Sequence, residues 1–395
     1  MNITEILPDI HYVGVNDRTT TRFEGLWSLP QGVSYNAYLA VGEKIALIDT
    51  VEESFGSRLF ENIREAIGDR PIDYLVVNHM EPDHSSSIRA LRLLYPQIQI
   101  VGNAKTLQMI RGFYGIDAGT LEIKEGDTLS LGGKTLSFYM IPMVHWPETM
   151  VTWCAEDGVL FSGDAFGTFG AIDGGITDSQ LDPSRYWDEM RRYYACIVGK
   201  YGVPVQKALA KVGGLNPTTI CSTHGPVWQR EIPQVIDIYD RLSRYEGEPG
   251  VVIAYGSMYG NTEQMAERIA RELAAQGAGP IVVYNLSYAD ESVVLRDVFR
   301  YDTLIVGGPT YNGGLYPPAA RLLDLIAARG IPQRNFGWFG SFCWASAAVR
   351  CLGEFAEKMK WEPICEPVEM KQGFSPAWHD SCRTLAGRIA GRMRR

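Results

Sequence analysis

Six consecutive residues, His79-Met80-Glu81-Pro82-Asp83-His84, constrain this chain more than any other segment. They set two imidazoles and two carboxylates directly after the apolar run Ile72–Asn78 (IDYLVVN), which reads as a buried strand. Imidazoles and carboxylates are the ligands of a borderline-to-hard metal ion, and a strand end gives them a rigid base. Three further phrases repeat the arrangement. His145 follows Ile141–Val144, Asp164 follows Val159–Ser162 in FSGDAF, and His224 follows Thr218–Cys221 in STHG. The chain has six histidines, and four of them stand in these phrases. A single histidine before a turn is most often an ordinary polar residue. Four histidines and three carboxylates at strand ends instead point to a two-metal site built from His79, Glu81, Asp83, His84, His145, Asp164 and His224. A tight turn is expected to bring the alternate residues His79, Glu81 and Asp83 together. His84 would then face an adjoining position, so that one loop serves two ions.

The residues around these phrases read as short strands and scattered helices. Tyr35–Leu39, Ile45–Asp49, Ile98–Val101, Thr135–Ile141 and Met150–Cys154 are further expected strands. Helices are expected at Phe55–Ile67, Ser86–Leu94, Ala104–Tyr114, Pro183–Lys200 and Pro204–Val212. Strand runs divided by helices suggest a layered sandwich with helices outside. At Glu246–Gly250 (EGEPG) the pattern changes to strict alternation. Expected strands at Val251–Ala254, Ile281–Tyr284, Thr303–Gly307 and Phe336–Gly340 alternate with expected helices at Thr262–Gln276, Ala289–Arg300, Pro318–Arg329 and Ala347–Lys360. That is the pattern of a doubly wound parallel sheet. The expected domains are therefore 1–248 (α+β) and 249–395 (α/β).

The metal ligands in the first part have a layout that resembles the metallo-β-lactamase superfamily, whose motif is H-x-H-x-D-H followed by His, Asp and His. The chain departs from it at Glu81, where the hydrolases usually carry histidine. The set thus offers four imidazoles and three carboxylates, with Asp164 placed to bridge. Harder oxygen ligands move the preference from zinc towards iron or manganese. Two ions sharing a bridge would stand roughly 3.5–4 Å apart.

In the second part the informative phrase is GSMYGNTEQMA, residues 256–266. Ser257, Met258, Tyr259, Gly260, Asn261 and Thr262 form a turn that opens a helix. Its backbone N–H groups and hydroxyls can hold a phosphate at the positive end of the helix dipole. The phrase is neither G-x-G-x-x-G nor G-x-x-x-x-G-K-[ST], which disfavours a dinucleotide or ATP. It resembles the FMN phosphate loop of flavodoxins. Two more loops follow successive strands at their carboxyl ends, where such folds bind ligands. GGPTYNGG (307–314) would bring Pro309, Thr310, Tyr311, Asn312 and Gly313 to the isoalloxazine edge, and GSFCWASAA (340–348) would bring Ser341, Phe342, Cys343 and a stacking face from Trp344.

Charge and cysteine usage narrow the partners. Residues 249–395 hold 16 Lys and Arg against 14 Asp and Glu, whereas residues 1–248 hold 21 against 32. An acidic first part argues against nucleic acid. The seven cysteines are scattered, and no two have C-x-x-C spacing. A disulfide framework and a four-cysteine iron centre are therefore not expected, and a reducing cytoplasm fits. No apolar run suggests a membrane span, and the start MNITEILPDI does not read as a secretory signal.

HMEPDH, HWPETM (145–150), SGDAFG (162–167), STHGPVW (222–228) and the flavin loops together resemble the flavodiiron proteins, or A-type flavoproteins, over essentially the full chain. The resemblance implies a metallo-β-lactamase-like αββα sandwich followed by a flavodoxin-like sheet. It also implies FMN, two non-haem irons, and reduction of dioxygen to water or of nitric oxide to nitrous oxide. It assigns His79, Glu81 and His145 to one iron, Asp83, His84 and His224 to the other, and Asp164 to the bridge. Members of the family differ on whether the counterpart of His84 ligates iron. No acid or base beyond the di-iron site is assigned. Tyr193, Tyr194 and Trp146 are either pocket walls or ordinary core aromatics. Cys343 and Ala345 stand where the family often has glycine. The resemblance further implies a head-to-tail homodimer, or a dimer of such dimers, and a separate electron donor, either rubredoxin or coenzyme F420. Two rival readings remain at this point. One is a di-zinc hydrolase with a flavodoxin appendage. The other is an electron-transfer flavoprotein with a purely structural metal site.

Overall fold

Tyr38–Val41 and Ile45–Ile48 are short, apolar and joined across Gly42, and they pair as an antiparallel hairpin with Tyr38 opposite Ile48 and Ala40 opposite Ala46. In a strand, alternate side chains share a face. Tyr38, Ala40, Ala46 and Ile48 therefore enter the core together. On a second sheet so do Leu136 and Phe138, Met150 and Cys154, and Val159 and Phe161. A computed structural model of the chain describes residues 4–393. Packing divides it into Met1–Asp240 and Arg241–Arg395. The division falls inside the helix Ile232–Ser243, which the sequence pattern had not suggested, and ahead of the expected boundary at 248.

Among the described residues, the first unit holds a seven-stranded and a five-stranded sheet. The first runs in spatial order Thr4–Leu7, Ile10–Tyr12, Tyr38–Val41, Ile45–Ile48, Tyr74–Val76, Gln99–Gly102, Thr120–Glu122. The second runs Thr128–Ser130, Thr135–Met140, Met150–Cys154, Val159–Gly163, Thr219–Ser222. The core lies between the two sheets. Helices take up the outer positions by ordinary amphipathic spacing. In Gly56–Ile67, residues Leu59, Ile63 and Ile67 are buried one turn apart. Fully burying a side chain such as Leu59 or Ile63 contributes roughly 1.5–3 kcal/mol. The expected helix Pro183–Lys200 is Ser184–Tyr193 continued by a π-helical turn, Tyr194–Val198. The π turn inserts one residue per turn, a device that concentrates at functional sites.

In the second unit five parallel strands run in the order Ile281–Asn285, Glu248–Tyr255, Tyr301–Tyr311, Asn335–Phe342, Val368–Lys371. In chain order this is 2-1-3-4-5, the flavodoxin-like doubly wound arrangement. The sequence pattern missed the fifth strand and the last helix, His379–Met393. The strand Val368–Lys371 alternates buried and intervening exposed residues at the sheet edge, so its short apolar signal is weak. The strand order reverses between the first and third strands. Residues 256–260 and 312–316 follow those two strands there, at the carboxyl end of the sheet.

Candidate metal centre and flavin pocket

The first metal motif leaves the strand Tyr74–Val76, and the tight turn expected there takes a helical form. Glu81 caps a one-turn helix, Pro82–Ser85, with Pro82 at its first position. Proline is tolerated there because its missing N–H would have had no helical partner. Asp83 and His84 lie within that helix. His145 comes from the loop after Thr135–Met140, Asp164 follows Val159–Gly163, and His224 follows Thr219–Ser222. All seven expected residues come together in two groups. His79, Glu81, His145 and Asp164 form one, and Asp83, His84 and His224 the other.

Asp164 is wholly buried and reaches both groups. Its Oδ2 lies 3.1 Å from His145 Nε2 and 3.5 Å from His79 Nε2, while its Oδ1 lies 3.1 Å from His84 Nε2 and 3.9 Å from His224 Nε2. Glu81 Oε2 is 2.9 Å from His145 Nε2 and 3.3 Å from His79 Nε2. Asp83 Oδ2 is 3.2 Å from His84 Nε2 and 3.3 Å from His224 Nε2. Yet both Asp83 oxygens and Asp164 Oδ2 are buried without an aligned hydrogen bond. Groups that approach this closely without pointing at one another are aimed at a shared point between them, as ligands of one cation are. His84 and His224 turn Nε2 towards Nε2 at 3.0 Å, and two imidazole lone pairs repel unless a cation or a proton lies between them. The residues present therefore fit a pair of metal ions.

Charge in the site is tightly balanced. Burial alone would lower the His79 imidazole. Asp164, Glu148 and Glu81 outweigh it and hold His79 well above its ordinary range. Burial likewise opposes His84 and His145, but the facing carboxylates lift both to about 9. Burial would raise Glu81 and Asp164, and the surrounding imidazoles push both well below the usual carboxylate range.

Several supporting groups escaped the sequence reading. The Thr223 hydroxyl donates to Asp164 Oδ1 at 2.6 Å. His224 Nδ1–H donates to the Ser34 carbonyl at 2.8 Å, which leaves Nε2 bare for a metal. Phe23, from the hairpin Arg22–Ser28, stands edge-on to His224 at 5.3 Å. Of the three aromatics weighed as walls, Trp146 meets the rings of His79 (5.2 Å) and His145 (6.2 Å), and Tyr193 meets His224 (5.4 Å). Tyr194 packs on Tyr239. The weak signals for Trp146 and Thr223 lay in HWPETM and STHG, where each adjoins a ligand in sequence.

In the other unit a cavity of about 710 Å³ opens at the carboxyl end of the parallel sheet. All the expected flavin residues line it except Gly260, which instead caps the helix Asn261–Ala275 with φ +84°. Ala345, Ser346, Ala347, Arg350 and Gln372 complete the wall. The size suits a small-molecule cofactor. Tyr259 and Trp344 are each 89% exposed and offer unpacked ring faces. The loops are tied to one another before any ligand binds. Ser257 Oγ accepts from the Gly260 and Glu263 N–H groups (3.1 and 3.4 Å), Thr262 and Ser341 hydroxyls meet at 2.9 Å, and Asn261 Oδ1 accepts from Phe374 N–H at 3.1 Å.

Thr310, expected at the ring edge, has a further structural part. Its hydroxyl oxygen accepts from the Ala347 and Ala348 N–H groups at 3.0 and 3.1 Å, and so caps the helix Ala348–Met359, which has no side-chain cap of its own. Thr310→Val should destabilise this unit by about 1–2 kcal/mol, as a lost N-cap does. FMN affinity should fall by roughly tenfold, and Thr310→Ser should restore both. Denaturant unfolding and flavin fluorescence titration measure the two effects.

A two-sheet metal domain joined to a 2-1-3-4-5 parallel sheet with a phosphate loop defines a class: flavin-dependent oxidoreductases with a lactamase-fold metal centre. The family model "ODP family beta lactamase" matches residues 33–225, and the model "Flavodoxin" matches residues 253–362. The chain is 33% identical over 396 residues to a nitric oxide reductase of Moorella thermoacetica, covering 98% of each. Its fold matches the rubredoxin oxygen:oxidoreductase of Desulfovibrio gigas with a TM-score of 0.95 at 30% identity, covering 100% of this chain and 99% of the other. It matches the flavodiiron protein of Giardia intestinalis with a TM-score of 0.94 at 26% identity, covering 100% and 98%. The chain belongs to the flavodiiron family.

Proposed function

We propose that residues 1–248 form the di-iron domain and 249–395 the FMN domain of an oxidoreductase whose metal pair is held by His79, Glu81 and His145 on one side, by Asp83, His84 and His224 on the other, and by Asp164 between them. The enzyme reduces dioxygen to water, nitric oxide to nitrous oxide, or both, with FMN and a non-haem di-iron site. The observation that carries this reading is the Glu-containing, seven-ligand pair of groups in one chain with a flavin-sized cavity. Glu81 and the three flavin loops weigh against a di-zinc hydrolase.

When bound, FMN would divide electron pairs into single electrons and the irons would supply them to the gas together with open coordination positions. The chain's own residues prepare that chemistry. Asp164, oriented by Thr223, spans the two groups. Ser34 holds His224 in the tautomer whose Nε2 is free. Phe23, Trp146 and Tyr193 pack around the ligand rings and keep bulk water off them. Four electrons and four protons convert O2 to two waters, and two of each convert two NO to N2O and one water.

The electrons come from a separate donor, rubredoxin or coenzyme F420. The functional unit is a head-to-tail homodimer, alone or paired with a second, working in the cytoplasm. No helix among the described residues is long and apolar enough to cross a membrane. Anaerobically reduced protein mixed in turn with O2 and with NO should reoxidise its flavin rapidly with at least one of them, and the ratio of the two rates assigns the physiological gas. Protein that holds two zincs and leaves both gases untouched would sink the proposal. Flavin reduction without gas consumption would reduce the metal site to a structural part.

A further inference from the structure

Glu148 is 1% exposed and ligates nothing in the arrangement above. Its Oε1 lies 2.9 Å from His79 Nδ1 and accepts the Met80 N–H at 3.0 Å. Its Oε2 is buried without a hydrogen-bond partner. A buried, half-satisfied carboxylate is costly unless positive charge stands close by. An acceptor oxygen already held by Met80 N–H requires that His79 Nδ1 carry the proton. His79 Nε2, which faces Glu81 and Asp164, is then the nitrogen left for a metal to take in place of any proton it carries. The two imidazoles of the other group differ. His224 Nδ1 donates to a neutral backbone carbonyl, and His84 Nδ1 is buried without a partner.

We infer that Glu148 is a positioning residue that makes the two halves of the metal centre unequal: it locks the His79 tautomer and strengthens that imidazole as a donor, so the His79–Glu81–His145 half-site binds its metal first and more tightly. The inference rests on the reading of His79 as a metal ligand. A carboxylate behind a ligating imidazole fixes its ring and raises its basicity, and such partners change metal affinity 10- to 100-fold. A carbonyl does this more weakly, and an unpartnered Nδ1 does not do it at all. The Asp83–His84–His224 half-site is therefore the labile one.

The test uses the full chain, FMN retained, stripped of metal by a chelator and titrated with zinc(II) against a chromophoric competitor. The wild type should show two separated dissociation constants. Glu148→Gln keeps an oxygen for Met80 N–H and His79 Nδ1–H but loses the charge. It should weaken the tighter constant 10- to 100-fold and leave the weaker one in place. Glu148→Leu should weaken the tighter constant further. In 15N-histidine spectra of the zinc-loaded chain, the His79 Nδ1–H signal should persist in Glu148→Gln and disappear in Glu148→Leu. Two unchanged constants in Glu148→Gln would overturn the inference. So would equal weakening of both, which a merely structural role predicts. His79→Ala separates this from failure of the underlying reading: if it leaves both constants intact, His79 is no ligand and Glu148 has nothing to position.

Discussion

Asp164→Ala should leave a chain with a full oxidised-flavin spectrum, no iron pair and no gas turnover. Among the described residues, Asp164 is the carboxylate whose two oxygens divide between the two ligand groups, at 3.1 Å from His84 and 3.1 Å from His145. Removing it takes a ligand from both half-sites at once. It also leaves His79, His84 and His145 facing one another with less negative charge between them. Supporting residues that only touch ligands change metal affinity by about 10- to 100-fold, so loss of a shared ligand should exceed about 100-fold. Iron analysis, the visible spectrum and O2 and NO consumption measured on one preparation check the three parts together. Unchanged iron content with unchanged turnover would remove Asp164 from the site.

Metal removal should produce the second large effect, a stability that depends strongly on pH. In the metal-free chain the facing carboxylates lift His84 and His145 to about 9 and hold His79 well above the ordinary value of 6.5. A histidine raised in the folded state contributes stability that is fully present below 6.5 and is lost as pH rises through about 9. Glu81 and Asp164 are depressed. They contribute stability that is present above their ordinary values of 4.5 and 3.8 and is lost as pH falls below them. The metal-free protein should therefore be most stable between about pH 4.5 and 6.5 and weaken steadily towards pH 9. The metal-loaded protein, whose imidazoles are already unprotonated, should stay nearly level across that upper range. Metal uptake at neutral pH should release protons from three imidazoles, measurable by calorimetry in buffers of different ionisation heat. Metal-free stability that is constant from pH 6 to 9 would contradict the charge balance described for the site.

Much of this was legible in the residues, for a local reason. A metal ligand at a strand end is announced by its own chemistry and by the apolar run before it, so HMEPDH, SGDAFG and STHG could be found without a structure. The doubly wound parallel sheet was legible from alternation for the same reason, since each strand and helix carries its own period, whereas its strand order was not. The last strand and helix were missed where that period weakens, and the tight turn expected in HMEPDH gave no sign of the helical turn that Pro82 starts.

What the tertiary structure alone decided concerns contacts between segments far apart in the chain. The sequence by itself determined which residue types gather at strand ends, that oxygen ligands outnumber the hydrolase pattern by one, and that three loops of the second half share one edge of a sheet. Only folding showed that Asp164 divides its oxygens between the two groups, that Ser34, 190 residues from His224, sets its tautomer, and that Thr310 caps a helix 38 residues on. Residue types and periods are properties of short windows. Orientation, tautomer and charge balance arise from partners that only the packed chain brings within 3 Å, and they turn a list of ligands into a working centre.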